Sequence, residues 1–524
     1  MTGAGTFVRA FLRRDRWMLM WWVLGGTLLY FSQAPSADSL YSTQAEFDRA
    51  AESMEQNVAF LAMTGPARAL NTVGGQVAWQ SMAFGAVIAG LMSMFVVARH
   101  TRAEEESGRD ELVRAAAVGR HAPMVAALVV AAIANVVLGA LVSGSLLAYG
   151  LDAEGCVSIG VALTLTGLTF TGVALVAAQL TDGTRAMYGV TGAVIAMAYA
   201  LRAVGDVAQN GVSWLSPIGW GQAMWPFSGE RWWPALVPAA ATVLLVAAAF
   251  VLFGRRDVGS GLWPSRPGPA RASAALSGPL GLAWRLQRGS LVGWTIGLLL
   301  LGVAYGSIGD DVEELMGDSG LTEQMLQPGA SITDSFYAFA VVIMAVIGAG
   351  YTISSALRPL GEEESGRVES LLATAQARRD WLLGHVVITV LGTVVVLMLS
   401  ALGLGLGFAM VTGDTEAIPR YLEPMLTYVA PVLLLGALTR LLHGLAPRLT
   451  YLAWVALAFC AVVMFFGELL QLPDVVVDVS PFSHLAVAPA EEVRWTPPLV
   501  ILLVAAAASA AGQLAFRRRD VITT

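Results

Sequence analysis

The sequence predicts an all-α polytopic membrane protein of about twelve transmembrane helices. They are expected as two parallel six-helix repeats with a pseudo-twofold axis along the membrane normal. Three observations predict it. Of the 524 residues, 56% are hydrophobic and 13% charged, against roughly 25% charged in an ordinary soluble domain. The apolar residues fall in runs of about 20, the length that spans a bilayer core, and single cores stop growing at about 250–300 residues. Several short motifs also recur along the chain at nearly constant offsets, the signature of an internal repeat.

In the first half the apolar runs lie at about Trp17–Gln33, Val77–Ala98, Pro123–Gly150, Val157–Leu180, Ala186–Val204 and Pro234–Gly254. In the second they lie at about Leu291–Ile308, Phe336–Leu357, Leu382–Val411, Tyr421–Leu438, Leu449–Leu470 and Pro497–Phe516. With both termini placed in the cytoplasm, 25 of the 31 basic residues fall in inner segments and 6 in outer ones. A wrong span count would scramble that asymmetry, because loop Arg and Lys set orientation. The expected location is the bacterial cell membrane. The basic N-terminus runs into a Trp-rich apolar stretch without a small-x-small cleavage site, so it reads as a retained first span.

Composition excludes several functions. There is no lysine, so all 31 basic residues are Arg. A Walker A phosphate loop and a Schiff-base lysine are therefore absent from the sequence. A net charge of -7 argues against nucleic-acid binding. The two cysteines, Cys156 and Cys460, predict neither a disulfide framework nor a Cys-rich metal site.

The repeat is explicit. Glu104-Glu105-Glu106-Ser107-Gly108-Arg109 recurs as Glu362-Glu363-Glu364-Ser365-Gly366-Arg367, 258 positions later. Arg255-Arg256-Asp257-Val258 recurs as Arg518-Arg519-Asp520-Val521 at an offset of 263. Ser216-Pro217 matches Ser480-Pro481, and Arg185 with Tyr188 matches Arg448 with Tyr451. The expected organisation is a six-span half over 1–258, a Gly/Pro/Ser-rich cytoplasmic linker over 259–278, and a second six-span half over 279–524. Six spans per half give both the same orientation, hence a parallel repeat with a pathway between the halves. Each half opens on a basic, aromatic segment (Phe7, Phe11 and Leu12 with Arg9, Arg13 and Arg16; Leu282, Trp284 and Leu286 with Arg285 and Arg288). Both suit an interfacial helix lying on the inner leaflet before the chain turns into the bilayer.

The inner loop after the second span of each half carries the main signal. A carboxylate run gains nothing from anionic headgroups, so it is expected to face a protein partner. The residues after the glycine, Glu111 and Leu112 or Glu369, Leu371 and Leu372, suit a short helix with acidic residues at its start. Such a helix could offer an apolar tip and charged rim to a groove in another subunit. A lone acidic loop would read as a solvated face; its duplication at equivalent places argues otherwise. The pattern E-x-E-S-G-x-x-E-x-L between the second and third of six spans resembles the membrane subunits of ABC-type exporters of the type-two permease class, in their fused two-half form. The resemblance covers essentially the whole chain, though the motif is short. Members often carry a Pro after the Leu pair, where this chain has Ala115-Ala116-Ala117 and Ala373-Thr374-Ala375, so the helix end is expected to differ in shape.

The resemblance implies that Glu104–Arg109, Glu111 and Leu112, with Glu362–Arg367, Glu369 and Leu371, form two coupling helices for a separate ABC ATPase. Two ATPase copies are implied, with ATP and Mg bound by that partner and no cofactor in this chain. The cargo implied is a hydrophobic, antibiotic- or drug-like small molecule, consistent with the large apolar membrane domain. ATP binding would draw the loops together and shift the halves between inward-open and outward-open states.

On the outer side, Ala34–Gln76 and the acidic Gly309–Ser335 suggest surface helices. The segments Ser213–Trp233 and Asp478–Trp495 precede the last span of each half. They hold Pro217, Trp220 and Trp225, then Pro481 and His484, as outer-gate candidates. The resemblance implies short re-entrant helices there, and an aromatic belt at the headgroups is an equal reading. Asn135, Asp206 and Glu468 are polar groups in or near spans, where structural roles outweigh substrate binding. His121, His385 and His443 show no metal-ligand spacing. Gly403, Gly405 and Gly407 are packing glycines. An ion-coupled twelve-span secondary transporter is the alternative function, but it needs a buried carboxylate at mid-membrane. A membrane enzyme would need a polar catalytic cluster, and an ABC-like assembly that handles lipids without export is a third rival.

Overall fold

A computed structural model of the chain describes residues 2–520 except 41–42, 46, 49–50, 52–57, 109–117, 258, 264–269, 274–275, 277, 309–330 and 468–471. Among the described residues the regular structure is helical throughout. The chain divides into two compact units, Met1–Gly268 and Pro269–Thr524. That division lies inside the Gly/Pro-rich 259–278 stretch.

In the first unit the helices the argument needs are α1 (Ala4–Phe31), α2 (Val73–His100), α3 (Arg102–Glu106), α4 (Ala122–Tyr149), α5 (Ala153–Leu180), α6 (Thr184–Val207), α7 (Pro217–Gln222) and α8 (Leu236–Gly254). In the second they are α9 (Pro279–Gly306), α10 (Ile332–Ala356), α11 (Arg358–Glu364), α12 (Arg367–Leu372), α13 (Arg378–Thr412), α14 (Leu422–Leu445), α15 (Leu452–Phe466) and α16 (Thr496–Arg518). Eleven helical segments are long and apolar enough to cross a membrane. They coincide with the second to twelfth expected spans. The first, Trp17–Gln33, lies in α1, whose preceding turns carry Arg9, Arg13, Arg14, Asp15 and Arg16, so α1 is too polar to join the eleven.

Neither half shows a turn between its basic opening segment and its first span. Ala4–Phe31 and Pro279–Gly306 are each one unbroken helix of 28 residues. The expected separate interfacial helix is absent from both. The segments lack a glycine-proline break or a cap between their two parts, so the backbone hydrogen-bond ladder simply continues.

The second helix of each half is its packing centre. Both α2 and α10 are buried along most of their length, as is α14 in the second half. Both α2 and α10 are rich in Ala, Gly and Ser, whose short side chains let neighbours close in from every side. In α2 these neighbours are tied by Asn135, which is fully buried. Its Nδ2 donates to Ser93 Oγ at 2.9 Å and to the Ala131 carbonyl, and Ser93 donates on to the Gly167 carbonyl at 3.0 Å. Asn135 therefore joins α2, α4 and α5 as a structural group.

The α4–α5 hairpin turns at Gly150, whose φ of 103° is a left-handed conformation that favours glycine. Asp152 then caps α5 by accepting from the Glu154 and Gly155 N–H groups at 3.0 and 3.1 Å. In the second half, α9 and α13 pack backbone to backbone. A Cβ at Gly302, Gly306, Gly403 or Gly407 would strike the main chain of the opposite helix. Gly405 instead faces Ile418. These are packing glycines, as their alternation in an apolar run suggested.

Candidate functional site

The acidic loop of each half stands at the end of its most buried helix. The two copies share one local geometry. The Gly108 N–H donates to the Glu105 carbonyl at 3.1 Å, and the Gly366 N–H to that of Glu363 at 2.8 Å. Ser107 Oγ donates to the Glu104 carbonyl at 3.1 Å, and Ser365 Oγ to that of Glu362 at 3.0 Å. Both glycines have φ of 70°, where a Cβ would be strained. The E-E-E-S-G sequence is thus a helical turn ended by a glycine cap, made twice.

The middle glutamate of each run points into the protein. Glu105 receives Arg256 at 2.6 Å and Arg102 at 2.8 Å. Glu363 is fully buried against Arg519 at 2.9 Å and His443 at 2.5 Å. Arg256 and Arg519 are the second arginines of the duplicated Arg-Arg-Asp-Val motif, just past the sixth helix of each half. The fourth helix supplies a further brace. Gln179, near the end of α5, accepts from Arg256 Nε at 2.8 Å, and His443, near the end of α14, lies 3.1 Å from Arg519. Two sequence motifs about 150 residues apart are therefore halves of one clamp, present in both units. Sequence reading singled out each motif but not their union; their joint duplication was the available signal.

The outer glutamates differ between the halves. In the first, Glu104 pairs with Arg14 of α1 at 2.5 Å, beside Asp15. Burial works against the Asp15 charge, but His100, Arg99 and Arg14 outweigh it and hold the carboxyl below its ordinary range. Glu106 accepts from Thr184, from its N–H at 2.9 Å and its hydroxyl at 2.6 Å, at the start of α6, where a carboxylate meets the positive helix end. In the second half, Glu362 pairs within its own loop, with Arg358 at 2.7 Å and Arg367 at 2.7 Å, and Glu364 is exposed. At the offset of 263 that joins Arg185 to Arg448, Thr184 falls on Pro447, which has no N–H to offer.

What each loop leaves to solvent is accordingly different from the glutamate run. The exposed residues are Glu106, Ser107 and Gly108 in the first half, and Gly361, Glu364, Ser365, Gly366, Arg367, Glu369 and Ser370 in the second. In α12, Val368 is buried with Trp381, Leu382 and Phe516, and Leu371 and Leu372 pack against that cluster. Leu371 thus turns toward its own half. Arg109, Glu111 and Leu112 lie outside the described residues.

At the other end of the bundle, Ser216 caps α7, accepting from Ile218 and Gly219, with Pro217 at the first helical position. Trp220 Nε1 donates to the Trp214 carbonyl at 2.6 Å. Trp225 takes a φ of 54°, and both Arg68 and Arg231 lie against its ring. In the second half, Pro481 follows the buried Ser480, and His484 Nε2 lies 2.9 Å from the Asp478 carbonyl. Asp206 sits 3.6 Å from the buried Arg202. His385 contacts Gln287 at 3.0 Å, and His121 packs on Phe250 and Phe253. Among the described residues no group of His, Cys, Asp and Glu is placed to hold a metal ion. Glu468 lies outside them.

Eleven membrane-competent helices among the described residues, with a charged knuckle at the end of the second helix of each half, define the class: a polytopic all-α membrane protein. The chain is 37% identical over 527 aligned positions to the multidrug efflux system permease protein Rv1217c of Mycobacterium tuberculosis, covering 99% of this chain and 95% of that one. Residues 276–517 match the family described as multidrug efflux system permease Rv1217c, C-terminal domain. The chain belongs to this family of multidrug efflux permeases.

Proposed function

We propose that this chain is the membrane subunit of an ATP-driven ABC exporter that moves hydrophobic, drug-like molecules out across the bacterial plasma membrane. Both termini face the cytoplasm, a placement that the arginine distribution supports. Separate ATPase subunits, one for each loop, bind ATP and Mg and dock on the two acidic knuckles. The duplicated clamp carries this reading. In each half the middle glutamate, together with its arginine, binds the knuckle to the fourth and sixth helices, and the knuckle continues from the most buried helix. A push delivered there is passed to the packing centre of that half instead of being absorbed by a loose loop. The clamp also divides the labour within the motif. Glu105 and Glu363 hold the knuckle rigid, while Ser107 and Gly108, or Ser365, Arg367, Glu369 and Ser370, present the docking face.

The test is co-purification and transport with the ATPase encoded for this exporter. Ser107→Arg combined with Glu369→Arg and Ser370→Arg should abolish ATPase capture and ATP-driven efflux while leaving the unfolding temperature unchanged. Capture and efflux at wild-type levels in that variant would refute the docking face. Drug efflux by the chain alone in proteoliposomes, driven by a proton gradient, would favour the secondary transporter instead.

A further inference from the structure

The first unit holds a cavity of about 230 Å³ at the end of α2 opposite the acidic knuckle, about 40 Å away along a 28-residue helix. Its walls come from the chain just before α2, the starts of α2 and α7, the end of α6, and the aromatic segment that precedes α8. Trp79, Trp214, Trp225 and Trp233 all line it. Trp214 and Trp233 stack with ring centroids 5.3 Å apart and planes 13° from parallel. The lining is therefore flat, aromatic and fixed.

Two cations stand at this cavity. The Arg68 and Arg231 guanidiniums lie 3.7 and 3.1 Å from the centre of the same Trp225 ring. Among the described residues neither has a carboxylate within ion-pair distance. Like charges held this close repel, and burial together with Arg231 lowers the proton affinity of Arg68. The carboxylate in the wall, Asp206, is shared with the fully buried Arg202, so the site retains excess positive charge. Deeper in, the buried Gln222 Oε1 accepts no hydrogen bond among the described residues, while its Nε2 donates to the Thr64 carbonyl at 2.5 Å. An arginine pair stacked on tryptophan fits a ligand with an anionic head and a flat apolar body, and the idle Gln222 oxygen can accept from a donor on that body rather than from the head.

We propose that this cavity is a binding site for an amphiphilic organic anion. A carboxylate or phosphate would sit at the edge of Trp225, within reach of the guanidiniums stacked on its two faces, and an apolar or aromatic body would lie against the other tryptophans. Arginine suits this role because its planar fork grips a carboxylate or phosphate while stacking on an indole. The Trp225 platform is not repeated in the sequence of the second half. At the offset of 264 that joins Ser216 to Ser480, Trp225 falls on Pro489. The head group has two sources with the same chemistry, an anionic lipid or a free solute such as an exported acid.

The test uses the full chain in phosphatidylcholine nanodiscs, with tryptophan fluorescence as the readout. The probes are 2-naphthoate and its neutral methyl ester. The acid should bind at least tenfold tighter than the ester. R68Q/R231Q should erase that preference and leave ester affinity within twofold, and R68K/R231K should keep most of it. The single variant R231Q, at an exposed position, gives the same direction should the double variant fold poorly. Equal affinity for acid and ester, or an unchanged preference in R68Q/R231Q, overturns the proposal. Replacing part of the lipid by phosphatidylglycerol assigns the source. Competition with naphthoate supports a lipid head group, and its absence supports a free anion. Neither measurement involves ATP or a partner, so its failure would leave the exporter reading standing.

Discussion

Glu363 is the side chain on which most of the second knuckle rests. It is fully buried, paired with the buried His443 and the partly buried Arg519, and removing one partner of a buried pair strands the other charge in low dielectric. Arg519→Leu should therefore lower stability by about 3–5 kcal/mol. The double change Glu363→Leu with Arg519→Leu should recover much of that loss, because no uncompensated charge remains. Urea titration in detergent of the wild type, both single variants and the double variant closes the cycle; additive losses would show that the pair is not coupled. The sequence displayed the glutamate run and the arginine pair, but as two separate repeats. It suggested that all three glutamates face a partner, because nothing local distinguishes the middle one. Its inward turn depends on where the sixth helix ends in space.

Helix packing in this protein is governed by small residues, and there the sequence was more legible. Gly407 of α13 meets the main chain of α9 at Val303 and Ser307, so Gly407→Leu has no room to relax and should cost about 1–3 kcal/mol or more. Gly297 on α9 has open space where a Cβ would stand, and Gly297→Leu should be nearly neutral. A thermal-shift assay on the two variants separates them; equal midpoints would contradict the close packing. Hydropathy placed eleven helices because the cost of unsatisfied backbone in lipid forces long apolar runs into helices. The opening segments were less legible. A basic, aromatic stretch before a span is compatible with a lying helix and with a continuous one, and side-chain pattern does not decide between them. The contacts of Phe11 with His100 and of Arg14 with Glu104 show α1 running on past the end of α2.

The division of the chain at residue 268 makes a prediction for the protein as a unit. Each half has its own buried helices and its own clamp, so a protease site inserted among residues 264–269 should be cut without loss of helical content in either half. Circular dichroism before and after cleavage checks this, and a collapse of the helical signal would show that neither half is self-sufficient. The same organisation accounts for the two knuckles of this chain: the helix, the turn and its clamp recur together. The copies then diverged at their outer glutamates, and Pro447 in the place of Thr184 accounts for one such difference.

Composition and periodicity were enough to predict a helical membrane protein whose sequence repeats short motifs, since the bilayer imposes length and apolarity on every span and duplication leaves constant offsets. They also pointed to the acidic turns as the place where function concentrates. The inward orientation of Glu105 and Glu363, the union of two distant motifs into a clamp, and the cationic tryptophan cavity emerged only when the helices were packed. Each of these depends on groups brought together from far along the chain, and such proximity is fixed by how helix ends converge, which no local pattern encodes.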